Sequence, residues 1–184
     1  MAIHKVGEEE LFLLLNRLSG VVDLSKDLPA NIFMGDELVF WFFERPLICL
    51  VDVFAGLVAE SVSSLISSVF IKFSGAEFLE QSCFSMGGKD VNEDVIWLNE
   101  GADDFFGGKV GYPIYFFNGT FDWVAFESAF EEFGVIAVKS SALKKDFEMY
   151  LNANFISMRE LRELASGSLI EARIAKALID SYGS

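Results

Sequence analysis

Histidine, cysteine and proline are scarce in this sequence, which contains one, two and three of them among 184 residues. The single histidine, His4, lies so close to the N-terminus that fraying makes it a poor general base. One histidine and two cysteines cannot supply a familiar zinc ligand set. The sequence also has no nucleophile motif of the G-x-S-x-G type. These absences predict a binding protein rather than an enzyme.

An apolar leader is also missing, because MAIHKVGEEE becomes acidic where a secretion signal would become apolar. The longest apolar stretch, 47–70, contains Asp52 and Glu60. Each of these carboxylates would cost about 2.5–3.5 kcal/mol at the centre of a membrane span. We therefore expect a cytoplasmic protein without a membrane span, in which Cys49 and Cys83 are free, buried thiols.

Linkers, repeats and low-complexity segments do not divide the chain, which predicts one globular domain over residues 1–184. Apolar spacing and turn signals predict helices at 8–18, 55–67, 121–133, 141–151, 157–165 and 168–181. Strands are predicted at 37–44, 47–54, 69–73, 95–98, 112–117 and 135–139. This order predicts an α+β fold with a largely antiparallel sheet, an N-terminal helix and a helical C-terminal region.

The prediction of a helix at 121–133 is based on four aromatic residues spaced three, four and three positions apart: Trp123, Phe126, Phe130 and Phe133. It follows a strong turn signal, Asn118-Gly119, and Thr120 is its predicted cap. The outer face of such a helix would present further carboxylates, including Asp122, Glu127 and Glu131. We assign these three residues to a partner-binding surface.

Acidic residues are abundant where basic residues are few. The formal net charge is −14, and residues 75–134 contribute two basic and twelve acidic side chains, a balance of −10. Residues 135–184, with seven basic and six acidic side chains, are nearly neutral. A field of this sign repels nucleic acids and anionic lipids and attracts basic protein surfaces. The same acidity would also keep a phenylalanine-rich chain soluble.

The densest acidic stretch is KDVNEDVIWLNEGADDFFGGKVG, residues 89–111. If 94–98 is a strand, its flanking acids lie in loops, and we predict that they contact a basic partner: Asp90, Glu93, Asp94, Glu100, Asp103 and Asp104. Phe105 and Phe106 directly follow these acids. Their rings either pack into the core while the acids stay in solvent, or anchor the partner.

Metal and cofactor motifs are incomplete in this stretch. Residues 90–94 reproduce the D-x-N-x-D start of an EF-hand loop, but Val95 and Gly101 replace the glycine and the glutamate that the loop requires. Gly107-Gly108-Lys109 lacks the ending of a phosphate-binding loop. The sequence predicts no metal and no cofactor.

Size, acidity and the absence of catalytic motifs give the chain the character of bacterial immunity proteins, the antidotes of polymorphic or contact-dependent toxins. VIAVKSSALKKDFEMYLNANF, residues 135–155, is similar to the C-terminal part of some immunity families. The resemblance implies tight binding to one cognate toxin domain, and a basic nuclease domain would match the acidic surface. Two alternatives remain: a DNA mimic that occupies DNA-binding proteins, and a scaffold whose acidity serves solubility alone.

Overall fold

The computed structural model describes residues 3–168 and 170–183. The strands within them are β1 His4–Lys5, β2 Leu38–Glu44, β3 Val69–Lys72, β4 Cys83–Met86, β5 Ile114–Asn118, β6 Trp123–Glu127, β7 Phe133–Lys139 and β8 Ile156–Ser157. The helices are α1 Glu8–Leu18, α2 Val51–Leu65, α3 Val91–Ala102, α4 Phe105–Gly108, α5 Lys145–Asn154, α6 Met158–Ala165 and α7 Ile170–Tyr182. Two short 3-10 helices cover Leu47–Cys49 and Ser140–Ala142.

The strands described here form one sheet in the order β1-β4-β3-β5-β6-β7-β2-β8, and every neighbouring pair is antiparallel. The two edge strands, β1 and β8, have two residues each. Such short edges offer few unpaired backbone groups to another chain. The predicted α+β fold, with its antiparallel sheet, first helix and helical C-terminal region, is confirmed.

Helices cover both faces of this sheet. Phe54, Val95 and Phe147 place α2, α3 and α5 against one face. On the other face, α1, α6 and α7 pack with the segment 20–33. Every residue of β5 and β6 is buried as a result. The two core layers therefore meet only through the sheet, and charged groups are largely confined to the helix surfaces and the loops at the strand ends.

The first helix follows its apolar spacing, since Leu11, Leu14 and Leu18 are buried against the sheet. The predicted helix 157–165 is present as α6, and Ser157 and Glu160 form a capping box at its start. Strand β2, the helix before β3 and strand β7 also lie where the sequence predicts them. These segments carry their own pattern of apolar residues, which is why local reasoning finds them.

Two predicted strands are helical. Residues 47–54, expected as a strand, form a 3-10 helix followed by the first turn of α2. Residues 95–98, also expected as a strand, lie inside α3. The apolar residues of α3 recur one or two turns apart and pack on the core: Val91, Val95, Leu98 and Ala102. This helical spacing outweighs the β propensity of the short VIWL run.

The predicted helix 121–133 is instead strand β6, a hairpin loop and the first residue of β7. Trp123 and Ala125 enter one core layer, whereas Val124 and Phe126 enter the other. A strand buried on both faces needs apolar residues at every position, so the helical spacing of its aromatic residues is coincidental. The turn predicted at Asn118-Gly119 does connect β5 to β6.

Both cysteines are free, as expected, but only Cys83 is buried. Cys49 is exposed at the end of the first 3-10 helix, because that segment is not the buried strand that was predicted. Among the described residues, no helix is long and apolar enough to cross a membrane.

A buried hydrogen bond joins the sheet to α2 and gives a test of this packing. The indole Nε1 of Trp123 donates to Ser61 Oγ at 2.8 Å, and both side chains are buried. Ser61→Ala leaves that indole N–H without its acceptor, and we expect a loss of about 1–3 kcal/mol in the free energy of unfolding. Urea denaturation measures this loss. Ser63→Ala, on the exposed face of the same helix, should change it by less than about 0.5 kcal/mol.

Candidate functional site

Helix α3, the residue before it and the two residues after it carry a surface that we call the acidic ridge. It comprises five exposed carboxylates: Asp90, Glu93, Glu100, Asp103 and Asp104. Residues 90–104 contain no lysine or arginine. The neighbouring helix α2, which packs beside α3, also has no basic residue. The structure thus places five of the predicted acidic site residues on one continuous surface.

Asp94 is the exception among the predicted acids of this segment. It was expected in a solvated loop, but it lies fully buried on the inner side of α3. Its Oδ1 accepts a hydrogen bond of 3.1 Å from the backbone N–H of Ile3. Asp94 therefore connects the N-terminal segment to α3 and does not belong to the exposed ridge.

Phe105 and Phe106 face the protein rather than the solvent. The Phe106 ring lies 5.1 Å from the Phe84 ring and 5.4 Å from the indole of Trp97, measured between centroids. Phe105 packs edge-on against Tyr112 at 5.3 Å. Both rings pack against core residues of the chain itself. They are therefore not free to anchor a partner protein, as one interpretation of the sequence required. The exposed apolar side chain on α3 is Ile96, at 47%.

Local backbone geometry separates these rings from the acids before them. Phe105 and Phe106 adopt positive φ values of 52° and 55°, a left-handed conformation that costs roughly 1–2 kcal/mol per residue. The Phe106 ring packs so closely on α3 that a Cβ on Gly101 would lie only 2.2 Å from it. Asp104 accepts a hydrogen bond of 2.9 Å from Gly107 N–H and so stabilises the turn. The turn directs the rings inward while its two aspartates remain exposed.

The three acids assigned to the helix 121–133 do not share a face, because that helix does not exist. Asp122 is half-buried in the β5–β6 turn, where its carboxylate accepts a hydrogen bond of 3.1 Å from Asn118 Nδ2. Glu131 lies half-buried in the β6–β7 hairpin loop. Glu127 is fully buried at the end of β6. The prediction that these side chains form an outer acidic face is wrong.

Glu127 is the most perturbed carboxyl group of this region. Its Oε1 accepts a hydrogen bond of 2.5 Å from Leu47 N–H, and its Oε2 has no hydrogen-bond partner. Burial raises the pKa of Glu127 to about 7, although the Leu47 hydrogen bond and the charge of Arg45 both act to lower it. This carboxyl group therefore changes its charge near neutral pH.

A cleft of about 500 Å³ opens beside Glu127, at the ends of β2 and β7. The guanidinium of Arg45 lies over the Tyr112 ring at 5.1 Å, and both residues line the cleft. Its rim carries three exposed glutamates: Glu44, Glu132 and Glu171. These residues come from three distant segments of the chain, so no local pattern in the sequence indicated the cleft.

Cys49 is an exposed thiol whose pKa is affected by nearby carboxylates. Burial raises the pKa of the Cys49 thiol, and the negative charges of Asp103 and Glu127 raise it further. A thiol with a raised pKa is a weak nucleophile at neutral pH. Cys49 is therefore not activated for chemistry, despite its exposure.

Lys72 and Cys83 form a second group of buried titratable side chains, on neighbouring strands β3 and β4. Burial lowers the pKa of Lys72 to about 8, and its Nζ donates to the carbonyl of Phe73. Burial also raises the pKa of the Cys83 thiol to about 12. Neither group reaches the surface, so a substrate could not contact them.

Residues 3–168 and 170–183 contain no group of three histidine, cysteine or acidic side chains that could hold a metal ion. The D-x-N-x-D run lies at the start of α3, with Asp90 at the N-cap position. A helix there spreads the side chains around its axis, whereas an EF-hand loop wraps them around one ion.

Comparisons of the chain with protein families, with curated proteins and with solved structures found no significant match. The resemblance of residues 135–155 to immunity families gains no support from them. In the structure this stretch spans β7, a 3-10 helix and α5.

Glu127 generates a pH-dependent prediction. The folded protein binds this proton more tightly than the unfolded chain, whose carboxyl pKa is 4.5. The stability that Glu127 contributes is therefore fully present below about pH 4.5 and is lost as the pH rises through about 7. The expected loss is about 3 kcal/mol. We expect denaturant unfolding across this pH range to show a decrease in the free energy of unfolding for wild type and no such decrease for Glu127→Gln.

Glu132→Gln is the matched control for this experiment, because Glu132 is exposed on the hairpin that follows Glu127. We expect its effect on the free energy of unfolding to be independent of pH to within about 0.5 kcal/mol. A Glu127→Gln variant that follows the wild-type curve would contradict the proposed proton uptake by this side chain.

Proposed function

We propose that this chain is an immunity protein, which binds and neutralises a basic bacterial toxin domain through the acidic ridge. The observation that carries the proposal is the composition of residues 90–104, six carboxylates without a single lysine or arginine, five of them exposed on one helical surface. Nucleases bind phosphates with basic side chains, and an acidic surface of this density matches such a cleft.

Interfaces of this kind combine charges that direct the encounter with a few apolar contacts that hold the complex. Ile96 can supply such a contact, since its side chain is exposed at 47% between the acids of α3. Phe105 and Phe106 support this role indirectly, because their inward packing fixes the turn that carries Asp103 and Asp104. The ridge is thus a rigid surface that needs no ordering on binding.

The regional distribution of acids favours this proposal over a DNA mimic, because residues 135–184 are nearly neutral. Helices α6 and α7, on the other face of the sheet, expose Arg159, Arg162, Arg173 and Lys176. A mimic of the two phosphate rows of DNA would need acids over a larger part of the molecule. The proposed action is occlusion of the toxin's active site. Catalysis by Glu127 is not part of the proposal, because this side chain is too deeply buried to contact a substrate.

The test is co-expression of this chain with the product of the adjacent gene, which the proposal predicts to be a toxin. Wild-type protein should restore growth, and the purified pair should associate more slowly as salt rises, because ions screen exposed charges over about 8 Å at physiological strength. Asp103→Lys with Asp104→Lys should slow association by about tenfold or more at low salt and much less at high salt. Stopped-flow fluorescence measures both rates.

The matched control reverses two exposed acids on the opposite face, Glu163→Lys with Asp180→Lys. It changes the net charge by the same amount, so it separates the ridge from general electrostatic attraction. The proposal is contradicted if both double variants slow association equally. It is also contradicted if the adjacent gene encodes no toxic domain or if wild-type protein leaves growth inhibited.

A further inference from the structure

A groove of about 420 Å³ lies on the opposite side of the molecule from the acidic ridge, along the outer side of α1. We call it the α1 groove, and it is lined by Glu8, Glu9, Phe12, Leu13 and Phe78. The three apolar side chains among them are 57%, 61% and 55% exposed, in chain order. Large apolar side chains that cluster at the surface mark interaction sites more often than isolated ones do.

The apolar residues of the groove are not needed for the fold of α1. That helix is held to the sheet by the buried side chains Leu11, Leu14 and Leu18. Phe12 and Leu13 point away from them, and Phe78 approaches from the loop between β3 and β4. The chain thus brings three large apolar groups together from two segments and leaves all three in solvent.

Two carboxylates, Glu8 and Glu9, lie at one end of this apolar surface. Glu8 and Glu9 lie one helical turn before Phe12 and Leu13, on the same sides of α1. A hydrogen bond between the Glu8 and Glu80 side chains, together with the negative charge of Glu80, raises the pKa of Glu8. Two acids held this close to each other are a favourable site for an added positive charge.

The nearest basic residues are engaged elsewhere. Lys5 Nζ donates to Gln81 Oε1 at 3.2 Å. Arg17, one turn after Leu13, places its guanidinium over the Phe121 ring at 4.7 Å. Neither side chain is among the residues that line the α1 groove.

We infer that the α1 groove binds an amphipathic basic helix of another protein, whose apolar residues enter the groove and whose lysines or arginines pair with its carboxylates. Apolar side chains in a shallow groove supply the affinity in this mode of recognition, and the charges set its orientation. A second copy of this chain is a poor occupant, because each copy carries a net charge of −14. Anionic membranes are repelled by the same carboxylates.

This inference does not depend on the proposed function. Helix α1 packs on one face of the sheet and α3 on the other, so the α1 groove and the acidic ridge can each be occupied or altered separately. The two surfaces could serve one large partner or two different partners.

The experiment uses the full chain and a synthetic amphipathic helix of leucines and lysines, with a scrambled peptide of identical composition as the reference. Fluorescence anisotropy should show tighter binding of the amphipathic peptide. Phe12→Ser with Phe78→Ser should weaken that binding by about tenfold or more. Glu8→Gln with Glu80→Gln should weaken it at low salt and reduce its salt dependence.

Ile66→Ser with Phe130→Ser is the matched control, since these side chains are 90% and 85% exposed at other places on the surface. Circular dichroism should show that all variants remain folded, because none of the altered side chains is buried. The control should bind the amphipathic peptide as wild type does.

Several results would overturn the inference: equal affinity for the two peptides, no binding at all, or equal losses in the groove and control variants. Sedimentation that reveals a dimer abolished by Phe78→Ser would identify a second copy as the occupant instead. Binding to neutral phosphatidylcholine vesicles that is lost in Phe12→Ser would identify a lipid surface.

Discussion

Burial of the central strands on both faces is the constraint on which the rest of this structure depends. β5 and β6 have no exposed residue, and most of β7 is buried as well. Helices must therefore cover each face of the sheet, and with few exceptions the charged side chains must lie on helix surfaces or in loops. Glu127 is one exception, at the end of β6, and its raised pKa reflects the cost of burying its charge.

The distribution of acids follows from this layering. Helix α3 places Val95 and Leu98 in one core layer and exposes Glu93 and Glu100 to solvent. Helices α2 and α3 of this layer contain no lysine or arginine. The layer on the other face mixes both signs on α6 and α7. The acidic ridge, which we propose as the partner-binding surface, therefore lies on one face, although the whole chain is acidic.

Sequence reasoning succeeds where a segment is exposed on one side. Helix α1 buries Leu11, Leu14 and Leu18 at helical spacing, so its bounds could be predicted from that spacing and its acidic first turn, although Phe12 and Leu13 are exposed. Sequence reasoning fails where a strand is buried on both faces and so loses its alternation of apolar and polar residues. Strand β6 is an example, since its continuous apolar run fits a helix and a strand equally well. The helix α3 was predictable, because Val91, Val95, Leu98 and Ala102 have helical spacing that the strand interpretation of 95–98 overlooked.

Within the candidate site, the exposed acids of residues 90–104 could be found from composition alone. The burial of Asp94 and Glu127 could not, since it depends on which segment packs over each carboxyl group: Ile3 in one case and Leu47 in the other. The cleft beside Arg45 and Tyr112 also depends on contacts between distant segments. Composition therefore predicts the sign of the charge on a surface, whereas the residues that form that surface can be identified only from the fold.

The most direct test of the central claim is a hydrogen–deuterium exchange footprint of the chain in complex with the toxin domain that we propose as its partner. The account predicts slower exchange in residues 90–104 on binding, with no change in α6 and α7. Slower exchange in α6 and α7 with an unchanged 90–104 segment would contradict it, because the partner would then occupy the face of mixed charge.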